Sequence, residues 1–194
     1  IDTAGLLEFG RGAEKPLRIK EAGYMLASTA IKGTPFEGGH MDQSLDIMAK
    51  IIDEGPHPLA DKARISGKLR SCSELDRNLF SQDLDEFVEG CQAQLRGLAD
   101  GDFCLLPGGW STTTGGHAIL YMVTAHGEGV ARTYDFMVIN TGAGLSYHDK
   151  VPTPSKMKCN PYKLTTGIQA KRLEGNAFLK KLFGLQKTPD DRHT

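Results

Sequence analysis

Three apolar runs separated by glycine-containing loops lie in the second half of the chain. They cover residues 103–106, 117–123 and 134–139 and are rich in aromatic and β-branched side chains. Runs of this length and composition, bounded by glycine, predict buried strands. The chain is therefore constrained to form a sheet in which His117 begins one strand and Asn140 follows another.

The loop between the second and third runs predicts a β-hairpin. If its turn centres on Glu128-Gly129, the register places His117 directly opposite Asn140. Opposed side chains of an antiparallel pair lie about 4.5–5.5 Å apart at Cβ, on one face of the sheet. A slip of one residue would send the two side chains to opposite faces. The register therefore decides whether the imidazole and the carboxamide meet.

Helical periodicity dominates the chain before these strands. Apolar residues between positions 41 and 52 follow the 4, 3, 4 spacing of an amphipathic helix. A stripe over residues 84–98 predicts another helix, in which Cys91 is buried. Further helices are predicted over residues 16–31, 59–65, 71–79 and 173–185, an edge strand over 160–166, and a frayed tail. Helices first and strands second indicate an α+β fold, with N-terminal helices packed on a mostly antiparallel sheet.

The segment Ser71-Cys72-Ser73-Glu74 matches the capping-box pattern that starts many helices. This places Cys72 in the first helical turn, where the backbone dipole and free N–H groups favour a thiolate. If Cys72 also pairs with His117, the pKa of its thiol is expected below the free value of about 8.5. The alternative is structural, because Cys72 also continues the apolar stripe of Ile65 and Leu69.

The length of 194 residues is typical of one domain with a substantial core. We expect a helical N-terminal part over residues 1–70, a central core over 71–170 and a C-terminal helix with its tail over 171–194. A net charge of −1 gives no reason to expect nucleic-acid partners. No apolar run approaches the roughly 20 residues of a membrane span, so no membrane contact is expected.

The four cysteines form no CxxC pair, and the six histidines are scattered. This pattern predicts neither a disulfide scaffold nor a metal site, and no cofactor is expected. Reduced thiols favour a reducing compartment such as the cytoplasm. The chain begins at Ile1, without methionine or a signal-peptide pattern, which is typical of a fragment or processed piece.

The segments GHAILYMV and FMVINTGAG resemble the histidine and asparagine segments of papain-like cysteine peptidases. In that superfamily a strand beginning His-Ala is followed by a strand that ends in asparagine and a glycine turn. The run from Gly101-Asp102-Phe103 to His117 also resembles smaller bacterial cell-wall endopeptidases of the superfamily. Their nucleophile stands several tens of residues upstream of the histidine, as Cys72 does here.

The resemblance covers residues 71–144 and implies a papain-like fold with a Cys–His–Asn site. Cys72 would be the nucleophile, His117 the base and then the acid, and Asn140 the residue that holds the tautomer of the imidazole. The implied function is thiol-dependent hydrolysis of an amide or isopeptide bond in a protein or peptide substrate. Trp110 and Gly116 are the candidates for lining the substrate groove, because glycine leaves room for a substrate beside the histidine.

Three other interpretations remain open at the level of sequence. The first is a non-catalytic protein-binding module on a papain-like frame, favoured because no glutamine precedes Cys72 as an oxyanion donor. The second is a hydrolase whose nucleophile is Ser111 or Cys104, both close to His117 in sequence. The third is a purely structural domain in which the glycine turns only close hairpins. The oligomeric state is left open.

Overall fold

The computed structural model of the protein describes residues 41–55, 61–140, 144–152 and 157–193. These residues belong to the unit that begins at Met41. The helix predicted over residues 16–31 lies outside the described residues.

Three helices precede the sheet: α1 (Met41–Glu54), α2 (Lys62–Ser81) and α3 (Leu84–Arg96). The strands are β1 (Phe103–Ser111), β2 (Gly116–His126), β3 (Thr133–Ile139), β4 (Lys150–Pro152), β5 (Met157–Cys159) and β6 (Tyr162–Gln169). Helices α4 (Ala170–Leu173) and α5 (Asn176–Lys187) end the fold. None of the described helices combines the length and apolar composition that a membrane-spanning segment needs. The predicted α+β class is confirmed.

The main sheet has the order β1-β2-β3-β6, and each neighbouring pair is antiparallel. β4 and β5 form a separate two-stranded sheet. The predicted edge strand is confirmed as β6. β1 is longer than predicted and continues through Pro107 to Ser111. An edge strand tolerates proline because the ladder needs donors on only one of its sides.

Two of the predicted helices form as the sequence pattern indicates. α1 buries Leu45, Ala49 and Ile52 along one stripe. α3 begins after Asp83, whose carboxylate accepts a hydrogen bond of 2.7 Å from the backbone N–H of Asp85. This side-chain cap satisfies one of the free N–H groups of the first turn. The Cys91 sulfur is buried inside α3, as predicted.

The helix start predicted at Ser71 is wrong. α2 runs unbroken from Lys62 to Ser81, so Ser71 lies in its middle and the predicted helices over 59–65 and 71–79 are one element. A capping box needs a non-helical residue at its first position, whereas the preceding nine residues are already helical. The Ser73 hydroxyl instead donates to the carbonyl oxygen of Asp42 at 2.9 Å and ties α2 to the start of α1.

Apolar side chains cover the main sheet on both faces. The front layer lies between the sheet, α3 and α5, and includes Phe87, Val88, Leu95, Ile119, Tyr121, Val123 and Phe183. The back layer involves α1 and α2, and includes Leu45, Ile52, Leu69, Cys72, Leu105, Met122 and Met137. Alternate residues of β2 enter different layers because successive side chains of a strand point to opposite faces.

The C-terminal segment is hydrogen-bonded to the turn between β1 and β2. The Gln186 side-chain amide donates to the carbonyl oxygen of Gly108 at 2.7 Å, and the Ser111 hydroxyl donates to the carbonyl oxygen of Gln186 at 2.6 Å. Farther along, the Asp191 carboxylate accepts hydrogen bonds from the backbone N–H and the hydroxyl of Thr113. The tail therefore buttresses the turn rather than fraying as predicted.

Replacing Phe183 tests the front layer. Phe183 is fully buried, and its ring centroid lies 4.9 Å from that of Phe87 in an edge-to-face arrangement. Phe183→Ala is expected to lower the free energy of unfolding by about 3–5 kcal/mol, since it removes a large buried ring and leaves a cavity. Phe80→Ala is the matched control, because Phe80 is 59% exposed on α2, and its expected change is within about 0.5 kcal/mol. Urea unfolding measures both, and equal effects would contradict the layer assignment.

Candidate functional site

The register of β2 and β3 differs from the predicted one by two residues. Leu120 pairs with Ile139, so the hairpin centres one residue later than predicted, on Gly129-Val130, inside a short 3₁₀ turn. His117 is therefore not directly opposite Asn140. A slip of two residues leaves every side chain on its face. The prediction that the two side chains share one face of adjacent strands is confirmed by the contact between them.

His117 and Asn140 form a hydrogen bond of 2.8 Å between Nε2 and Oδ1. A carboxamide oxygen only accepts, so Nε2 of His117 carries the hydrogen. In the neutral ring the lone pair is then on Nδ1, which is the atom able to accept a proton. Asn140 is buried, and its backbone N–H donates to the carbonyl oxygen of Pro161 at 2.8 Å. The fold thus fixes both the orientation and the tautomer of the imidazole.

Trp110 lies beside this pair. It is the β1 partner of His117, and the two ring centroids are 4.9 Å apart with an interplanar angle of 49°. The tilted indole packs against the imidazole and helps to hold its orientation. Trp110 therefore supports the pair, in addition to lining the groove as predicted.

Glycines allow β1 to approach His117 closely. Gly109 has a φ of +127°, and a Cβ there would overlap the carbonyl oxygen of His117. A Cβ on Gly116 would lie 2.6 Å from the carbonyl oxygen of Trp110. Only glycine combines this backbone angle with such an approach. These positions hold the indole against the imidazole.

The pair lies in an open cleft of about 610 Å³. Trp110 and Gly116 line it, as predicted for a substrate groove, together with His117 and Asn140. The other lining residues are Thr112, Ile119, Val138, Gly144, Tyr147, His148 and Lys163. Neither a cysteine nor a serine nor a carboxylate is among the lining residues that the structure describes.

The sequence did not identify Tyr147, His148 and Lys163 as residues of the cleft. Tyr147 and His148 follow the glycine turn after Asn140, and this proximity to a candidate residue is the one sequence signal that points to them. Lys163 comes from β6, which pairs with β3 after the intervening β4–β5 hairpin. No local pattern predicts that long-range return.

The structure does not bring Cys72 to the histidine. Its side chain is fully buried in the middle of α2 and belongs to the back layer. His117 and Ile119 lie two residues apart on β2, so their side chains point to the same face of the sheet. The side chain of Ile119 belongs to the front layer. The sheet therefore separates the Cys72 thiol from the imidazole. Burial, followed by the nearby Asp76 carboxylate, raises the pKa of Cys72 far above its usual value. The lowered pKa predicted for a helix N-terminus is therefore wrong.

The alternative nucleophiles also lie outside the cleft lining. Cys104 is buried in the front layer, where burial raises the pKa of its thiol to about 12. The Ser111 hydroxyl is engaged with the carbonyl oxygen of Gln186. Cys91 is buried in α3, and burial raises the pKa of its thiol to about 12. Cys159 is half-buried on β5.

No protein-family model matches the sequence, and neither the curated proteins nor the solved structures give a match. Within the described ranges, no group of three or more His, Cys, Asp or Glu side chains is placed to hold a metal ion. The chemistry open to the cleft therefore follows from its own geometry. That geometry is a proton acceptor of fixed tautomer, an amide that orients it, and an aromatic wall in an open cleft.

Thiol labelling of the native protein tests the placement of the cysteines. Iodoacetamide is expected to modify Cys159 first, because its side chain is the one of the four that is not fully buried. Cys72, Cys91 and Cys104 should react at least tenfold more slowly until urea unfolds the protein, since burial both hides the sulfurs and opposes the thiolate. Peptide mass mapping over time measures the order. Early modification of Cys72 would contradict its placement in the back layer.

A glycine pair tests the approach of β1 to the histidine. Gly109→Ala is expected to destabilise the fold by about 1–3 kcal/mol, because it combines a disfavoured φ with a backbone clash, and to shift the NMR signals of the His117 ring. Gly115→Ala is the matched control, since a Cβ at Gly115 meets no atom within 4 Å. Thermal unfolding and imidazole C2–H spectra measure the two effects. Equal spectra for both variants would contradict the role of Gly109.

Proposed function

We propose that the cleft is the active site of a hydrolase that cleaves an acyl bond, such as an amide or isopeptide bond, in a protein or peptide. His117 acts as the general base and Asn140 orients it. The observation that carries the proposal is the hydrogen bond of 2.8 Å between His117 Nε2 and Asn140 Oδ1. It leaves Nδ1 as the proton acceptor, in a cleft large enough for a peptide segment.

In the proposed reaction, Nδ1 of His117 takes a proton from the attacking nucleophile and later returns it to the leaving amine. The ring carries a positive charge between these two steps. The Oδ1 atom of Asn140 carries partial negative charge and accepts from Nε2–H throughout, so it favours the imidazolium electrostatically. Trp110 packs against the ring and helps to hold its orientation. Each residue of the pair thus has one defined role.

The nucleophile determines the subclass of the hydrolase. The resemblance to papain-like peptidases favours a thiol, and thiol-dependent hydrolysis remains the narrower form of the proposal. The placement of Cys72 in the back layer disfavours that residue as the thiol. General-base attack by a water molecule needs only His117 and the cleft, and it is the form that the described residues support directly.

A second candidate is a protein-binding module without catalysis. The absence of a cysteine or serine among the described lining residues favours it. So does Tyr147, which is 82% exposed at the cleft, because exposed tyrosines are common anchors in protein interfaces. In this case the His117–Asn140 pair would shape the cleft rather than move a proton.

Turnover by matched histidine variants tests the proposal. Fluorogenic peptide amides, ubiquitin-like conjugates and peptidoglycan fragments serve as substrates. His117→Ala is expected to lower kcat about 10²–10⁴-fold, since a positioned general base contributes about that much. Asn140→Ala should lower kcat less, because the base remains but loses its orientation. His126→Ala is the control, since His126 lies exposed at the other end of β2 and pairs with Asp135.

Replacing each cysteine in turn by alanine separates the two forms of the reaction. Turnover that survives all four replacements supports attack by water, and turnover that is lost in one variant that still folds supports the thiol-dependent form. Equal turnover by His117→Ala and by the wild-type protein would contradict the hydrolase proposal. Binding of one of these substrates without turnover would support the binding module.

A further inference from the structure

His148 is a buried imidazole at the cleft. It is only 8% exposed, and its ring nitrogen Nδ1 lies 2.9 Å from the carbonyl oxygen of Asn160. A carbonyl oxygen only accepts, so Nδ1 carries a hydrogen and donates it. Among the described residues, Nε2 of His148 has no hydrogen-bond partner. This atom is not among the fully buried side-chain atoms that lack a partner, so it is accessible and available to a ligand in the cleft.

Lys163 brings a positive charge to the same cleft. It pairs with Val138 across the β3–β6 ladder, and Val138 lies two residues before Asn140. Paired residues, and residues two apart on one strand, share a face of the sheet. The side chain of Lys163 is therefore on the face of the His117–Asn140 pair. Within the described ranges, Lys163 forms no ion pair, and no carboxylate lines the cleft.

We propose that His148 and Lys163 form a subsite for a carboxylate of the substrate. The substrate would then be a peptide with an acidic side chain, or its own terminal carboxylate, close to the bond that is cleaved. The statement that the carboxylate lies close to a cleaved bond rests on the proposed hydrolase function. The recognition of the carboxylate is a binding property and does not depend on turnover.

The side chains of His148 and Lys163 are chemically complementary to a carboxylate. In its imidazolium form, His148 donates Nε2–H to one carboxylate oxygen, while its Nδ1–H continues to donate to the carbonyl oxygen of Asn160. The ammonium group of Lys163 supplies three further donors and the opposite charge. Charge-assisted hydrogen bonds of this kind are shorter and stronger than neutral ones. Ile119 and Val138 provide apolar surface for the aliphatic part of the ligand.

Three small probes test the subsite by NMR titration. N-acetyl-glutamate N-methylamide carries a side-chain carboxylate, N-acetyl-glycylglycine carries a terminal one, and N-acetyl-glutamine N-methylamide is the neutral isostere. We expect at least one acidic probe to bind about two- to fivefold more tightly than the neutral one, the range of an accessible ion pair. The preferred acid identifies the source of the carboxylate. The C2–H signal of His148, assigned with His148→Gln, should move on binding.

Charge variants test whether Lys163 causes the preference for acidic probes. Lys163→Gln is expected to remove the preference for the acidic probe, and Lys163→Arg to retain it, because arginine keeps the charge. Lys181→Gln is the control, since Lys181 is exposed on α5 and does not line the cleft. Equal binding of acidic and neutral probes, a preference unchanged by Lys163→Gln, or no movement of the His148 signal would each overturn the subsite.

The outcome separates this inference from the proposed function. If the carboxylate preference is present but His117→Ala does not change turnover, the hydrolase proposal fails and the subsite stands. If turnover depends on His117 but acidic and neutral probes bind equally, the subsite fails and the hydrolase proposal stands. His117→Ala should itself keep the carboxylate preference.

Discussion

The alternation of side chains along β2 and β3 is the constraint on which the rest of the site depends. Because the period is two residues, a strand delivers its even and odd positions to different faces of the sheet. His117 and Asn140 are delivered to the front face, where Trp110 also lies. Met122 and Met137 are delivered to the back layer with the helix that carries the cysteine. One ladder thus assembles the pair and excludes the predicted thiol.

The close approach of β1 keeps this ladder in place. Gly109 lets the strand backbone approach the carbonyl of His117 without a clash, and Gln186 of α5 donates to the carbonyl oxygen of the neighbouring Gly108. The C-terminal segment then continues along the turn by hydrogen bonds to Ser111 and Thr113. The orientation of the indole over the imidazole is therefore set by elements from both ends of the sheet region, and not by the β2–β3 hairpin alone.

The sequence predicted what is decided locally and missed what is decided at long range. Helices α1 and α3 and the central strands follow from the spacing of apolar residues, which burial of one face imposes. The capping box at Ser71 failed because its residues also occur inside helices, and α2 begins upstream, after Asp61. The hairpin register was displaced by two residues because the loop contains a 3₁₀ turn, yet the even displacement preserved the contact. The sequence did not predict Lys163 at the cleft, because only the long-range pairing of β6 with β3 brings it there.

Stability of the fold alone does not require a polar pair at this position. Asn140 is 3% exposed, and burying a carboxamide costs free energy that its hydrogen bonds largely offset. Replacing both partners of a buried hydrogen bond by apolar groups of the same shape can be nearly neutral for stability, because apolar groups carry no desolvation penalty. A purely structural role therefore leaves the combination of imidazole, carboxamide and neighbouring indole unexplained at the wall of an open cleft. The proposed transfer of a proton, by contrast, uses this arrangement directly, with the hydrogen on Nε2 and the lone pair on Nδ1.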